Sequence, residues 1–106
     1  MKQECRKIRR YAVQLPCTYG NTDQKWKGTV LNLSPQGCTM SGEELPPVSS
    51  YLSLEIDLLN GEATIHIELA AVRWVSGHRC GVEFIRVFPD TLLQLKSFAL
   101  LLEASS

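Results

Sequence analysis

Residues 51–69 read YLSLEIDLLNGEATIHIEL. Leu52, Leu54, Ile56 and Leu58 alternate with Ser53, Glu55 and Asp57, the period of a strand with one face buried. Asn60-Gly61 follows at once, and Ile65, Ile67 and Leu69 then point inward while His66 and Glu68 point outward. An Asn-Gly pair between two alternating runs marks a hairpin, because both residues accept positive φ. This stretch predicts a fold built on antiparallel strands.

The same period extends in both directions. Upstream, Tyr11, Val13, Leu15 and Cys17 alternate with Ala12, Gln14 and Pro16, and Pro16 suggests an edge strand. GNTDQ at 20–24 reads as a turn, a strand resumes from Trp26 to Leu33, and NLSPQG at 32–37 interrupts it. Cys38 and Met40 lead into a polar loop, SGEELPPVSS. Downstream, the strand after Asn60-Gly61 runs on through AAVRWV with a bend at Ala70-Ala71, Ser76-Gly77 turns the chain, and Val82 and Phe84 share one face of a last strand. Leu92, Leu95, Phe98, Ala99 and Leu102 then recur at helical spacing. Thr91 as N-cap and Gln94 three residues later predict a helix over about 91–103. Six or seven short antiparallel strands and one terminal helix predict a small all-β barrel or sandwich, and the helix can cover an open end. The boundaries are a basic arm over 1–10 and one domain over 11–106.

Composition sets limits on function. The chain has 106 residues, 44% of them hydrophobic and 21% charged, with a net charge of zero. That is ordinary for one domain with a single core. The charge is unevenly placed: Lys2, Arg6, Lys7, Arg9 and Arg10 stand in the first ten residues against Glu4 alone. The four cysteines, Cys5, Cys17, Cys38 and Cys80, have neither CxxC nor zinc-finger spacing. The N-terminus lacks the apolar segment of a signal peptide, and no apolar run approaches the length of a membrane span. The expectation is a cytoplasmic protein with reduced thiols, no metal and no membrane association. GxSxG, HExxH, Walker and GxGxxG patterns are all missing, so no catalytic residues are assigned and the chain is expected not to be an enzyme.

Two stretches carry groups suited to binding. In RKIRR, Arg6 and Arg10 are four apart, and each guanidinium can grip a phosphate bidentately or stack on an aromatic base. In NLSPQG, Asn32 and Ser34 lie two apart on a strand and face one way, Leu33 faces the core, and Gly37 allows close approach to the backbone. Either stretch alone also reads as a solvated tail or an ordinary turn.

Together, R-x-x-x-R followed by [D/N]-x-S-x-x-G resembles the PilZ domain family. YAVQLPCTY after Arg10, GTVLNLSPQGC, AAVRWV, RCGVEFI and the terminal LLQLKSFALLL are similar to that family's strands and helix, so the resemblance spans nearly the whole chain. It implies a six-stranded antiparallel split β-barrel with a C-terminal helix. It also implies binding of the bacterial second messenger cyclic di-GMP, with no further cofactor. Arg6 and Arg10 would clamp the phosphates and stack on the guanines, Asn32 and Ser34 would hydrogen-bond a guanine edge, and Gly37 would keep the turn tight. Asn32 stands where Asp is commoner in the family. The implied role is a receptor or adaptor that passes the signal to an effector protein in motility, pili, exopolysaccharide or virulence, as a monomer or homodimer. The alternatives are a PilZ-like protein-interaction module without nucleotide and a small nucleic-acid-binding barrel. The second is disfavoured because basic residues are scarce beyond position 10 and only Trp26 and Trp74 are candidate stacking aromatics.

Overall fold

The computed structural model describes residues 11–59 and 64–105. Six strands, β1 (Tyr11–Gly20), β2 (Lys25–Ser34), β3 (Gly37–Gly42), β4 (Tyr51–Ile56), β5 (Ile65–Ser76) and β6 (Arg79–Arg86), precede one helix, α1 (Pro89–Ser105). The strands close into a barrel in the order β1-β2-β3-β6-β5-β4, every pair antiparallel. The predicted β-barrel with a terminal helix is therefore the observed architecture.

Alternation fills the barrel. Tyr19, Val30, Met40, Leu54, Ile56, Ile65, Ile67, Val72 and Cys80 are all fully enclosed. Burial of such side chains contributes roughly 1.5–3 kcal/mol each. Ile56 pairs with Ile65, so β4 and β5 form the expected hairpin; its Asn60-Gly61 lies outside the described residues. The bend expected at Ala70-Ala71 is a register irregularity between Leu69 and Ala70 in the β5–β6 ladder.

Three expectations change. Pro16 is not on an edge strand: β1 pairs with β2 along its length and with β4 at Cys17–Gly20. Pro16 sits just outside the β4 ladder, where no N–H is required of it, and its carbonyl accepts the Asp57 N–H at 2.9 Å. Asn32 and Ser34 do not interrupt a strand but belong to β2, so the connection to β3 is only Pro35-Gln36. Helix α1 begins at Pro89, with Asp90 in the first turn, and the Leu92 N–H bonds to the Phe88 carbonyl at 2.9 Å. Thr91 thus lies inside the helix and is not its N-cap. Proline at the first position and an acid in the first turn outweigh the Thr91/Gln94 signal.

The apolar face of α1 docks through Leu95, buried in the core, with Phe98 packed against the same cluster. Leu93, Leu100 and Leu101 remain exposed. Three cysteines, Cys17, Cys38 and Cys80, are buried. Burial, with the neighbouring Cys80 thiol adding to it, pushes the Cys17 thiol up to about 12, and burial alone pushes Cys80 up to about 11. These thiols stay protonated at neutral pH and are poor nucleophiles. They act as small core fillers, as expected, and Cys5 lies outside the described residues. Among the described residues, no helix is long and apolar enough to cross a membrane and no group of His, Cys, Asp and Glu could hold a metal ion.

Candidate functional site

The β2–β3 turn is built by one side chain. The Ser34 hydroxyl donates to the Gly37 carbonyl at 3.3 Å and accepts the N–H groups of Gln36 and Gly37, both at 3.2 Å. One donor and two acceptor positions are the whole capacity of a hydroxyl. Pro35 fixes φ at the second position, and Ser-Pro-x-Gly is the residue pattern of a type I turn. Strand β6 holds the turn in place: the Phe84 N–H bonds to the Gln36 carbonyl at 2.8 Å, and Gly37 pairs with Glu83. Ser34 is only 2% exposed, so the expected open platform of two polar side chains is asymmetric. Ser34 shapes the turn from below, while Asn32 is half-exposed on the barrel wall. We expect Ser34→Ala to destabilise the fold by about 1–2 kcal/mol, since two N–H groups lose their acceptor. A urea titration with an unchanged midpoint would refute this assignment.

Asn32 owes its orientation to an irregular register. The β2–β3 ladder slips between Val30 and Asn32, so Leu31 is the extra residue and Asn32 pairs with Thr39. The Asn32 Oδ1 accepts the Thr39 N–H at 3.1 Å. An aspartate could make the same bond, so asparagine preserves this anchor and removes a charge. Leu33 faces the core, as its position between the two polar residues predicts.

Cross-strand partners project to the same face, so the ladders define rows on the barrel wall. Ala12, Asn32, Thr39, Gly81 and Trp74 form one such row across β1, β2, β3, β6 and β5. Trp74 is 42% exposed, and its indole lies across Gly81: a Cβ there would stand 2.1 Å from Nε1. A register shift between Val72 and Trp74 brings the ring onto this row. Beside it the Arg73 Nε donates to Glu83 Oε1 at 2.7 Å, so that guanidinium is already neutralised. Sequence reasoning named Trp74, with Trp26, only as a candidate stacking aromatic and did not place it beside Asn32. The signal was Gly81 opposite it, but their pairing depends on the β5 irregularity.

The structure thus joins Asn32, Ser34 and Gly37 around one turn. Arg6 and Arg10 lie outside the described residues. The sequence profile of the PilZ domain matches residues 4–100, a span that includes all five. The chain belongs to the PilZ domain family. Solved structures share the fold. The inhibitor of motility MotI (DgrA) of Bacillus subtilis superposes with a TM-score of 0.81 at 18% identity, over 98% of this chain and 54% of MotI. The PilZ domain of Escherichia coli YcgR, solved with c-di-GMP, gives 0.78 at 17% identity over 96% of this chain and 94% of that domain. The PilZ domain of CeSA from a cellulose-synthesizing bacterium gives 0.70 at 16% identity over 90% of this chain and 98% of that one. The chain spans about half the length of MotI and 46% of the longer YcgR chain. No curated protein matches the sequence. At these identities the structural likeness is one of PilZ fold, and the sequence profile carries the family assignment.

Proposed function

We propose that this PilZ domain binds cyclic di-GMP on the face around Asn32 and acts as a receptor or adaptor for an effector protein. The observation that carries the reading is the β2–β3 turn of a PilZ domain with every position of the motif in place: Arg6, Arg10, Asn32, Ser34 and Gly37. The chemistry fits the ligand. Cyclic di-GMP offers two phosphate charges and two flat purines, which suit arginine forks, an oriented carboxamide and an exposed indole. In this reading Arg6 and Arg10 grip the phosphates and stack on the bases, Asn32 meets a guanine edge, and Gly37 leaves room for the ligand. Ser34 acts through the turn that its hydroxyl already builds. The receptor role also fits YcgR, a relative in fold solved with the same nucleotide.

Calorimetric titration with cyclic di-GMP tests this. A micromolar or tighter Kd is expected, on the order of −8 kcal/mol. The Trp74 fluorescence should change on saturation, because the indole shares a row with Asn32. Wild-type protein that gives neither heat nor a shift in melting temperature would leave the protein-interaction reading in place of this one.

A further inference from the structure

The row next to Asn32 carries a guanidinium that no described residue engages. Thr29 pairs with Ser41, Ser41 with Arg79, and Arg79 with Ser76, so these four residues line up across β2, β3, β6 and β5. They share the outer face with the Asn32–Thr39–Gly81–Trp74 row. Thr39 to Ser41 and Gly81 to Arg79 are two-residue steps, about 7 Å along the strand, and β2 to β6 is about 10 Å across. That is within the span of one dinucleotide and the reach of an arginine side chain.

The three described arginines differ in their surroundings. Arg73 is engaged by Glu83 at 2.6 Å. Arg86 is at the far end of β6, where it pairs with Leu69. Arg79 is exposed, and among the described residues it has neither an ion pair nor a side-chain hydrogen bond. Beside it opens a cavity of about 280 Å³ whose lining includes Lys27, Thr29, Ser41, Glu43 and His78. Two hydroxyl residues and a lysine thus line it together with one carboxylate residue, and Arg79 adjoins it through its strand partner Ser41 and its neighbour His78. The wall is fixed: the Gly42 N–H bonds to the His78 carbonyl at 2.9 Å, and Gly77 at φ 62° turns the chain into His78. A cyclic dinucleotide carries a phosphodiester on each side of its ring. A guanidinium with hydroxyls beside it matches a phosphodiester in both charge and hydrogen bonding.

We propose that the nucleotide face continues into a phosphate subsite made by Arg79 with the hydroxyls of Thr29 and Ser41. This subsite takes one phosphodiester of the ligand, and the basic arm serves the other. The inference rests on the cyclic di-GMP reading. The test is calorimetric titration of wild type, Arg79→Ala and Arg79→Glu with cyclic di-GMP, with a melting curve for each. Arg79→Ala should weaken binding about 10- to 100-fold, the range for one lost charge-assisted contact. Arg79→Glu should weaken it further, and melting temperatures should stay close to wild type because Arg79 is exposed and makes no ion pair or side-chain hydrogen bond among the described residues. Wild-type binding that Arg79→Ala leaves unchanged would overturn the subsite and spare the functional reading. Absence of binding by wild type would overturn both. Equal loss in both variants with a lowered melting temperature would show that Arg79 serves the fold, and would overturn the subsite too.

Discussion

Replacing Arg6 and Arg10 together by alanine is expected to weaken cyclic di-GMP binding by at least a hundredfold without lowering the melting temperature. A hydrogen bond to a charged group contributes roughly 1.5–3 kcal/mol, and bidentate pairs lie at the upper end. Two such contacts amount to about 3–6 kcal/mol, a factor of a hundred or more in Kd. Among the described residues the buried core begins at Leu15, and the sequence of positions 1–10 shows no apolar period. Removing two guanidinium groups should therefore leave the core as it was. Each single variant should fall between wild type and the double variant. Calorimetry and a thermal scan on the same samples decide the matter. Binding retained in the double variant would show that the barrel face holds the ligand without the arm. A lowered melting temperature would show that the arginines serve the fold.

Most of the barrel was legible because alternation reports burial directly. Leu52 to Leu58 and Ile65 to Leu69 announce a hairpin without any knowledge of the remaining strands. The helix was legible as an element, but its start was not: Pro89 and Thr91 offer competing signals, and the earlier one wins. The motif around Asn32 was legible as a spacing. Its mechanics were not, because they depend on register. Asn32 faces Thr39 only because the ladder slips by one residue at Leu31. The capacity of Ser34 is spent only because the turn shortens to two residues, which places three bonding partners around its hydroxyl. Trp74 covers Gly81 only because β5 carries a second irregularity. Arg79 was invisible for the same reason: an isolated arginine in a hairpin acquires meaning from the rows that the ladders bring beside it. Periodicity shows which way a side chain points but not what stands across from it.

Gly42→Ala should destabilise the protein by about 3 kcal/mol, although the sequence around it reads as loop. A Cβ on Gly42 would stand 2.2 Å from the Tyr19 hydroxyl oxygen, 3.1 Å from Cζ and 3.3 Å from Cε1. Tyr19 cannot easily yield. It is fully buried, and its hydroxyl donates to the Glu44 carbonyl at 2.8 Å, two residues beyond the new methyl. The substitution therefore overpacks the barrel end and pushes on the part-buried Tyr19–Glu44 hydrogen bond. The first effect costs typically 1–3 kcal/mol and the second about 1 kcal/mol more. For a domain of this size the melting temperature should fall by roughly 10–20 °C. The hydroxyl is the atom in closest conflict, so Tyr19→Phe should partly rescue Gly42→Ala while costing about 1 kcal/mol on its own. A double-mutant cycle should show a favourable coupling of about 1–2 kcal/mol, well beyond the scatter of independent sites. Simple additivity would mean that the Tyr19 hydroxyl is not what excludes a side chain at position 42.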